Sequence, residues 1–122
     1  MNVRPIVVAF VSSVLICSSH SARAEAEAEC ISSFNEAAKY NWLALKNDCD
    51  DTAVVVFGFM SQSYAAGQMT LAPGQSGNTG RSASEIAQQG GIHWVACPVG
   101  KRPYSAATAR DWGGNSGNYN CK

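Results

Sequence analysis

Thr52-Ala53-Val54-Val55-Val56-Phe57-Gly58-Phe59-Met60 is the stretch that decides the fold. Its β-branched and aromatic side chains fit a pleated, buried surface, so it reads as a central strand. Downstream, Gln68-Met69-Thr70-Leu71-Ala72 alternates polar and apolar until Pro73-Gly74 breaks it, which describes a half-buried strand. Upstream, Trp42-Leu43-Ala44-Leu45-Lys46 is a short apolar run stopped by the turn-forming side chains of Asn47-Asp48. Ile92 to Cys97 alternates again, with Ile92, Trp94 and Ala96 on one face and His93, Val95 and Cys97 on the other.

The remaining segments are less regular. Ile31 to Tyr40 reads as one or two helical turns, with Ser32 or Ser33 as cap and Phe34, Ala37 and Ala38 on one side. Gly74 to Gln89 is small and polar apart from Ile86, which predicts a long loop with a short helical turn at Ala83 to Gln88. Pro98 to Lys122 is rich in Gly, Asn, Pro and Tyr and offers a short strand only around Tyr119 to Cys121. There is no internal repeat. Short strands separated by turn chemistry, without a sustained helical period, predict an all-β domain: a small antiparallel β-sandwich or barrel with at most one short helix.

The N-terminus reads as an export signal. Arg4 supplies a positive charge, Ile6 to Cys17 is apolar apart from Ser12 and Ser13, and Ala22-Arg23-Ala24 places small residues at a cleavage site. The apolar run is 12 residues long, whereas a spanning helix takes roughly 20. Cleavage after Ala24 leaves one domain over 25–122, with Glu25 to Glu29 a solvated tail. Lipidation at Cys17 is the competing route, disfavoured because Ile16 is not small. The expected location is periplasmic or secreted, with no membrane attachment after cleavage. Loss of Arg4 and Arg23 leaves seven basic residues against nine acidic ones, net −2, a poor balance for nucleic acid.

Cys30, Cys49, Cys97 and Cys121 then form an even set, which in an oxidising compartment means two disulfides. Gaps of 19, 48 and 24 residues do not match zinc-ligand spacing. Three connectivities are open. The favoured one joins Cys49 to Cys97, tying strand ends across the core, and Cys30 to Cys121, stapling the termini.

Asn47-Asp48-Cys49 before Val54-Val55-Val56, then Leu71-Ala72-Pro73-Gly74-Gln75-Ser76, then Trp94-Val95-Ala96-Cys97-Pro98 resembles a pattern in small exported bacterial disulfide-bonded β domains of uncharacterised function. The likeness covers most of residues 41–98. It implies export, β architecture and a Cys49–Cys97 bridge, and it carries no active site.

No catalytic, metal or cofactor signature emerges. His93 is the one imidazole left after His20 leaves with the signal, and its strand position reads as a surface or packing histidine. Gly74-Gln75-Ser76-Gly77-Asn78 misplaces the last glycine of a nucleophile elbow. Gly74 to Ser82 departs from a phosphate-binding loop in spacing and has Arg81 where lysine is required. Asp48, Asp50 and Asp51 lack the further ligands and turn glycine of a calcium loop. Glu85 and Asp111 fall in loops with nothing to hold them as a carboxylate pair.

The functional lean comes from aromatic and amide residues late in the chain. Tyr104, Asp111, Trp112, Asn118 and Tyr119 form the expected binding site, because rings stack on sugars or anchor protein partners while amides and carboxylates bond hydroxyls. Trp94 is expected to be structural. The expected function is a binding module for a glycan or an extracytoplasmic protein, with an inhibitor of a secreted enzyme as the alternative and a small hydrolase third.

Overall fold

The computed structural model describes residues 30–122. The expected leader, its cleavage site and the Glu25–Glu29 tail lie outside them. Nine strands occur among the described residues: β1 (Ile31–Glu36), β2 (Trp42–Asn47), β3 (Ala53–Phe59), β4 (Gly67–Leu71), β5 (Ser76–Ser82), β6 (Ile92–Pro98), β7 (Pro103–Ser105), β8 (Arg110–Asp111) and β9 (Asn120–Cys121). A 3₁₀ turn (Ala37–Lys39) follows β1, and one short helix, α1 (Ala83–Gln88), follows β5. The strands form three antiparallel sheets, ordered β1-β2-β5, β4-β3-β6 and β8-β7-β9. The all-β class, the two disulfides and the single short helix all stand.

The β4-β3-β6 sheet lies between the first sheet and the C-terminal segment. Register places Val55 between Met69 and Ala96, Ala53 between Leu71 and Pro98, and Phe57 between Gly67 and Trp94. This face packs with Ile31 and Leu45 of the first sheet. Val56 and Val95 point the opposite way and pack with Trp112 of the C-terminal segment, flanked by Val54 and Tyr119. Coverage on both faces explains why β3 is apolar at consecutive positions, whereas a half-solvated strand would alternate. Opposite Phe57, a Cβ on Gly67 would fall within 2.6 Å of the ring, so the glycine lets the aromatic lie flat over β4.

The expected disulfide pairing is wrong: the bridges are Cys30–Cys49 and Cys97–Cys121. The middle sheet is the reason. Cys49 packs against the cluster between the first and middle sheets, while Cys97 shares its parity with Val95 and faces the C-terminal layer. A Cys49–Cys97 bond would have to pass through the middle sheet. Instead, Ile31 pairs with Asn47 and Asp48 N–H donates to Cys30 C=O at 2.9 Å, so the first bridge closes the open end of the β1–β2 hairpin. The second fastens β9 to β6.

Two segment readings also change. Ile31 to Glu36 is a strand, not helical turns, because pairing along all of β2 buries Ile31 and satisfies its backbone, which a solvated helix of that length cannot match. Ser76 to Ser82, read as loop, is β5. Gly77 sits opposite Leu45, where a Cβ would press on the Met69 sulfur at 3.1 Å, so a small residue is needed at this position. The helical turn at Ala83–Gln88 is present, capped by Ser82 Oγ accepting from Glu85 N–H.

Asn47 ties the layers together. Its Nδ2 donates to Asp51 C=O at 2.9 Å and Leu71 C=O at 2.8 Å, and its Oδ1 accepts from Cys49 N–H at 2.7 Å. Its backbone N–H donates to Gln75 C=O and its C=O accepts from Gly74 N–H.

Candidate functional site

The C-terminal residues expected to bind are divided by the structure between two faces. Trp112 is 2% exposed, packed on Val56 and Val95, with its indole N–H donating to Gly117 C=O at 3.1 Å. It has no ring face to offer a ligand, so the expectation that it anchors one is corrected. The Gly113-Gly114 pair that follows forces this burial. A Cβ on either glycine would overlap backbone, at Ser63 for Gly113 and at Phe59 and Gly58 for Gly114. The chain therefore runs directly against the end of β3 and drives the preceding ring inward.

Tyr119 is structural too. Its hydroxyl donates to Ala96 C=O at 3.1 Å and accepts from Ala96 N–H, covering the open edge of β6. Tyr104 and Asp111 are cross-strand partners on β7 and β8, and Asn118 is exposed nearby in sequence. Asp111 accepts from Arg102 Nε at 2.7 Å, and the Lys122 ammonium lies 4.1 Å from the Tyr104 ring centroid. Trp94, expected to be structural, packs partly buried against the core.

No constellation of the catalytic kind assembles among the described residues. His93 is exposed on β6, opposite Gly58. Glu85 pairs with Arg81 and Asp111 with Arg102, so the two acids are engaged in different layers. Asp48 accepts from Ser32 Oγ and pairs with Lys46. No group of three or more His, Cys, Asp or Glu side chains is placed to hold a metal among the described residues.

Outside the expected site, the Tyr40 and Trp42 rings meet at the β1–β2 turn, and Phe34 shares the outward parity of Trp42. Core packing assigns Ile31 and Leu45 inward, so alternation puts Phe34 and Glu36 of β1 and Trp42 and Ala44 of β2 outward. Phe34 pairs with Ala44 and Glu36 with Trp42. Tyr40 stands in the connecting turn with its ring centroid 5.5 Å from that of Trp42, tilted by 46°. Tyr40 is 81% exposed and Phe34 41%. No family model, no curated protein and no solved structure matches the chain. The site therefore rests on its own geometry.

That geometry carries two costs. Tyr40 and Asn41 are both in the left-handed region, with φ of 57° and 56°. For Tyr40 this conformation costs about 1–2 kcal/mol, whereas Asn41 tolerates it, and an exposed tyrosine returns little of that cost through burial. Glu36 Oε1 is buried and accepts no hydrogen bond among the described residues, an arrangement that ordinarily opposes folding. Strain and an orphaned acceptor beside exposed rings are features that cluster at recognition sites. The sequence signal was the Tyr40-Asn41-Trp42 turn itself, obscured by reading Ile31 to Tyr40 as helical.

Proposed function

We propose that this protein is a non-enzymatic binding module that works outside the cytoplasm and holds a glycan against the aromatic outer face of the β1–β2 hairpin. The observation that carries the reading is the contact of the Tyr40 and Trp42 rings at the β1–β2 turn, with Phe34 exposed on the same parity of the hairpin and Tyr40 held out in the left-handed region. Rigid ring faces suit the apolar side of a sugar, and two χ angles per ring leave little entropy to lose on binding. The exposed Asn41 amide beside them is a group that bonds hydroxyls. Two disulfides support an oxidising, extracytoplasmic setting, in keeping with the leader read over residues 1–24.

A glycan array probed with the oxidised protein, followed by titration of the best ligand, tests this. Tyr40→Asn removes the ring while keeping a residue tolerant of the left-handed conformation. Affinity is expected to fall about tenfold or more, the effect of losing an aromatic anchor, while the melting temperature does not fall. Absence of any glycan ligand, or unchanged affinity in Tyr40→Asn and Trp42→Ala, contradicts the reading.

A further inference from the structure

We propose that the outer face of the β8-β7-β9 sheet is a second, separate site, which recognises an acidic polysaccharide through carboxylates on its sugars. Charge is segregated along the chain. Lys101, Arg102, Arg110 and Lys122 lie within residues 99–122 with Asp111 as their one acidic neighbour in that segment, whereas residues 30–98 hold three basic and five acidic side chains. All four basic residues are exposed; Arg102 and Lys122 share the parity of Tyr104, whereas Arg110 is paired with Ser105 and has the opposite one.

Their placement is specific. Arg102 and Lys122 exchange both backbone hydrogen bonds, N–H to C=O at 3.0 and 2.9 Å, so they stand directly opposite one another in an antiparallel pair. Like charges in that position oppose pairing. Each is held out by a neighbour on the same face: Asp111 takes Arg102 Nε, and the Tyr104 ring underlies the Lys122 ammonium. Because Asp111 bonds Nε, the two Nη groups point their donors elsewhere and make no hydrogen bond among the described residues. A guanidinium oriented in this way meets a carboxylate with two parallel N–H donors. Pro103 and Ser105, of the opposite parity, are buried, so the face that carries Arg102, Tyr104 and Lys122 is the exposed one.

The amides of Asn118 and Asn120 at the rim suit sugar hydroxyls. Val99 is the one large hydrophobic exposed within residues 99–122, too little for insertion into a bilayer. Both observations favour a polysaccharide over an anionic membrane.

The test is titration of the oxidised full domain with polygalacturonate, with dextran as neutral control and phosphatidylglycerol/phosphatidylcholine vesicles as the competing surface. Wild type is expected to bind polygalacturonate in a salt-sensitive manner and to leave dextran unbound. Arg102→Gln with Lys122→Gln is expected to weaken binding by at least about tenfold, the loss of a charge-assisted contact or more. Tyr40→Asn should leave polygalacturonate affinity unchanged, so failure here is separable from failure of the hairpin site. No binding of polygalacturonate, equal binding by the double variant, or preference for the vesicles overturns the proposal.

Discussion

Replacing Asn47 by alanine removes three hydrogen bonds from a position that is 0% exposed. A net intramolecular hydrogen bond contributes about 1 kcal/mol, and a buried group left without a partner costs about 1–3 kcal/mol. The Leu71 carbonyl loses its Asn47 donor in a buried setting, and Cys49 N–H loses its acceptor in a partly buried one. The combined loss is about 3 kcal/mol, a large part of the roughly 5–15 kcal/mol available to a small domain. For a chain of this size that lowers the melting temperature by about 12–24 °C. Thermal unfolding followed by circular dichroism on the oxidised protein measures it. Asn47→Asp adds a sign test, since a carboxylate there faces two carbonyl oxygens and its folded pKa is raised above the ordinary value. The unprotonated form is then the poorer fit, so the penalty relative to wild type is full above the folded pKa and shrinks as pH falls toward the unfolded pKa of about 4. A fall of less than about 4 °C in Asn47→Ala, or a penalty in Asn47→Asp that grows on acidification, refutes the reasoning.

Trp112→Ala is expected to cost about 3–5 kcal/mol, seen in urea unfolding, and Trp94→Ala less, because Trp94 is only partly buried. Gly114→Ala is expected to undock the C-terminal segment from β3, because the added Cβ meets the Phe59 carbonyl, and tryptophan emission should shift to the red as Trp112 is exposed. Peptide mapping without reduction should return Cys30 joined to Cys49 and Cys97 to Cys121. Cys121→Ser should remove about 3 kcal/mol of stability, in keeping with a loop spanning 24 residues.

The β class was legible because β3, β4 and β6 carry it in side-chain type and alternation, and the turn at Asn47-Asp48 marks the end of β2. β5 was not, since Ser76 to Ser82 is small and polar and owes its strand state to pairing with β2 rather than to its own propensity. The disulfide pairing needed the layer order. Alternation had put Cys97 on the Val95 face, but nothing local says that the C-terminal segment covers that face.

The binding residues followed the same rule. Tyr104 and Asp111 were expected in one site and are cross-strand partners, whereas Trp112 and Tyr119 turned inward. Burial of Trp112 depends on the close approach of Gly113 and Gly114 to backbone distant in sequence, a tertiary constraint that composition does not carry. Tyr40 and Trp42 meet, with Phe34 on the parity of Trp42, only once β1 is a strand, because a helical reading breaks the register of the hairpin.

The most direct measurement is a backbone and indole amide NMR titration of the oxidised protein with the best glycan from the array. Shifts confined to Phe34, Glu36, Tyr40, Asn41 and the Trp42 indole N–H, with those of Trp112 and Tyr119 unmoved, are the expected result. Shifts centred on the C-terminal segment, or spread evenly with none at the hairpin, would contradict the assignment of recognition to the outer face of the first sheet.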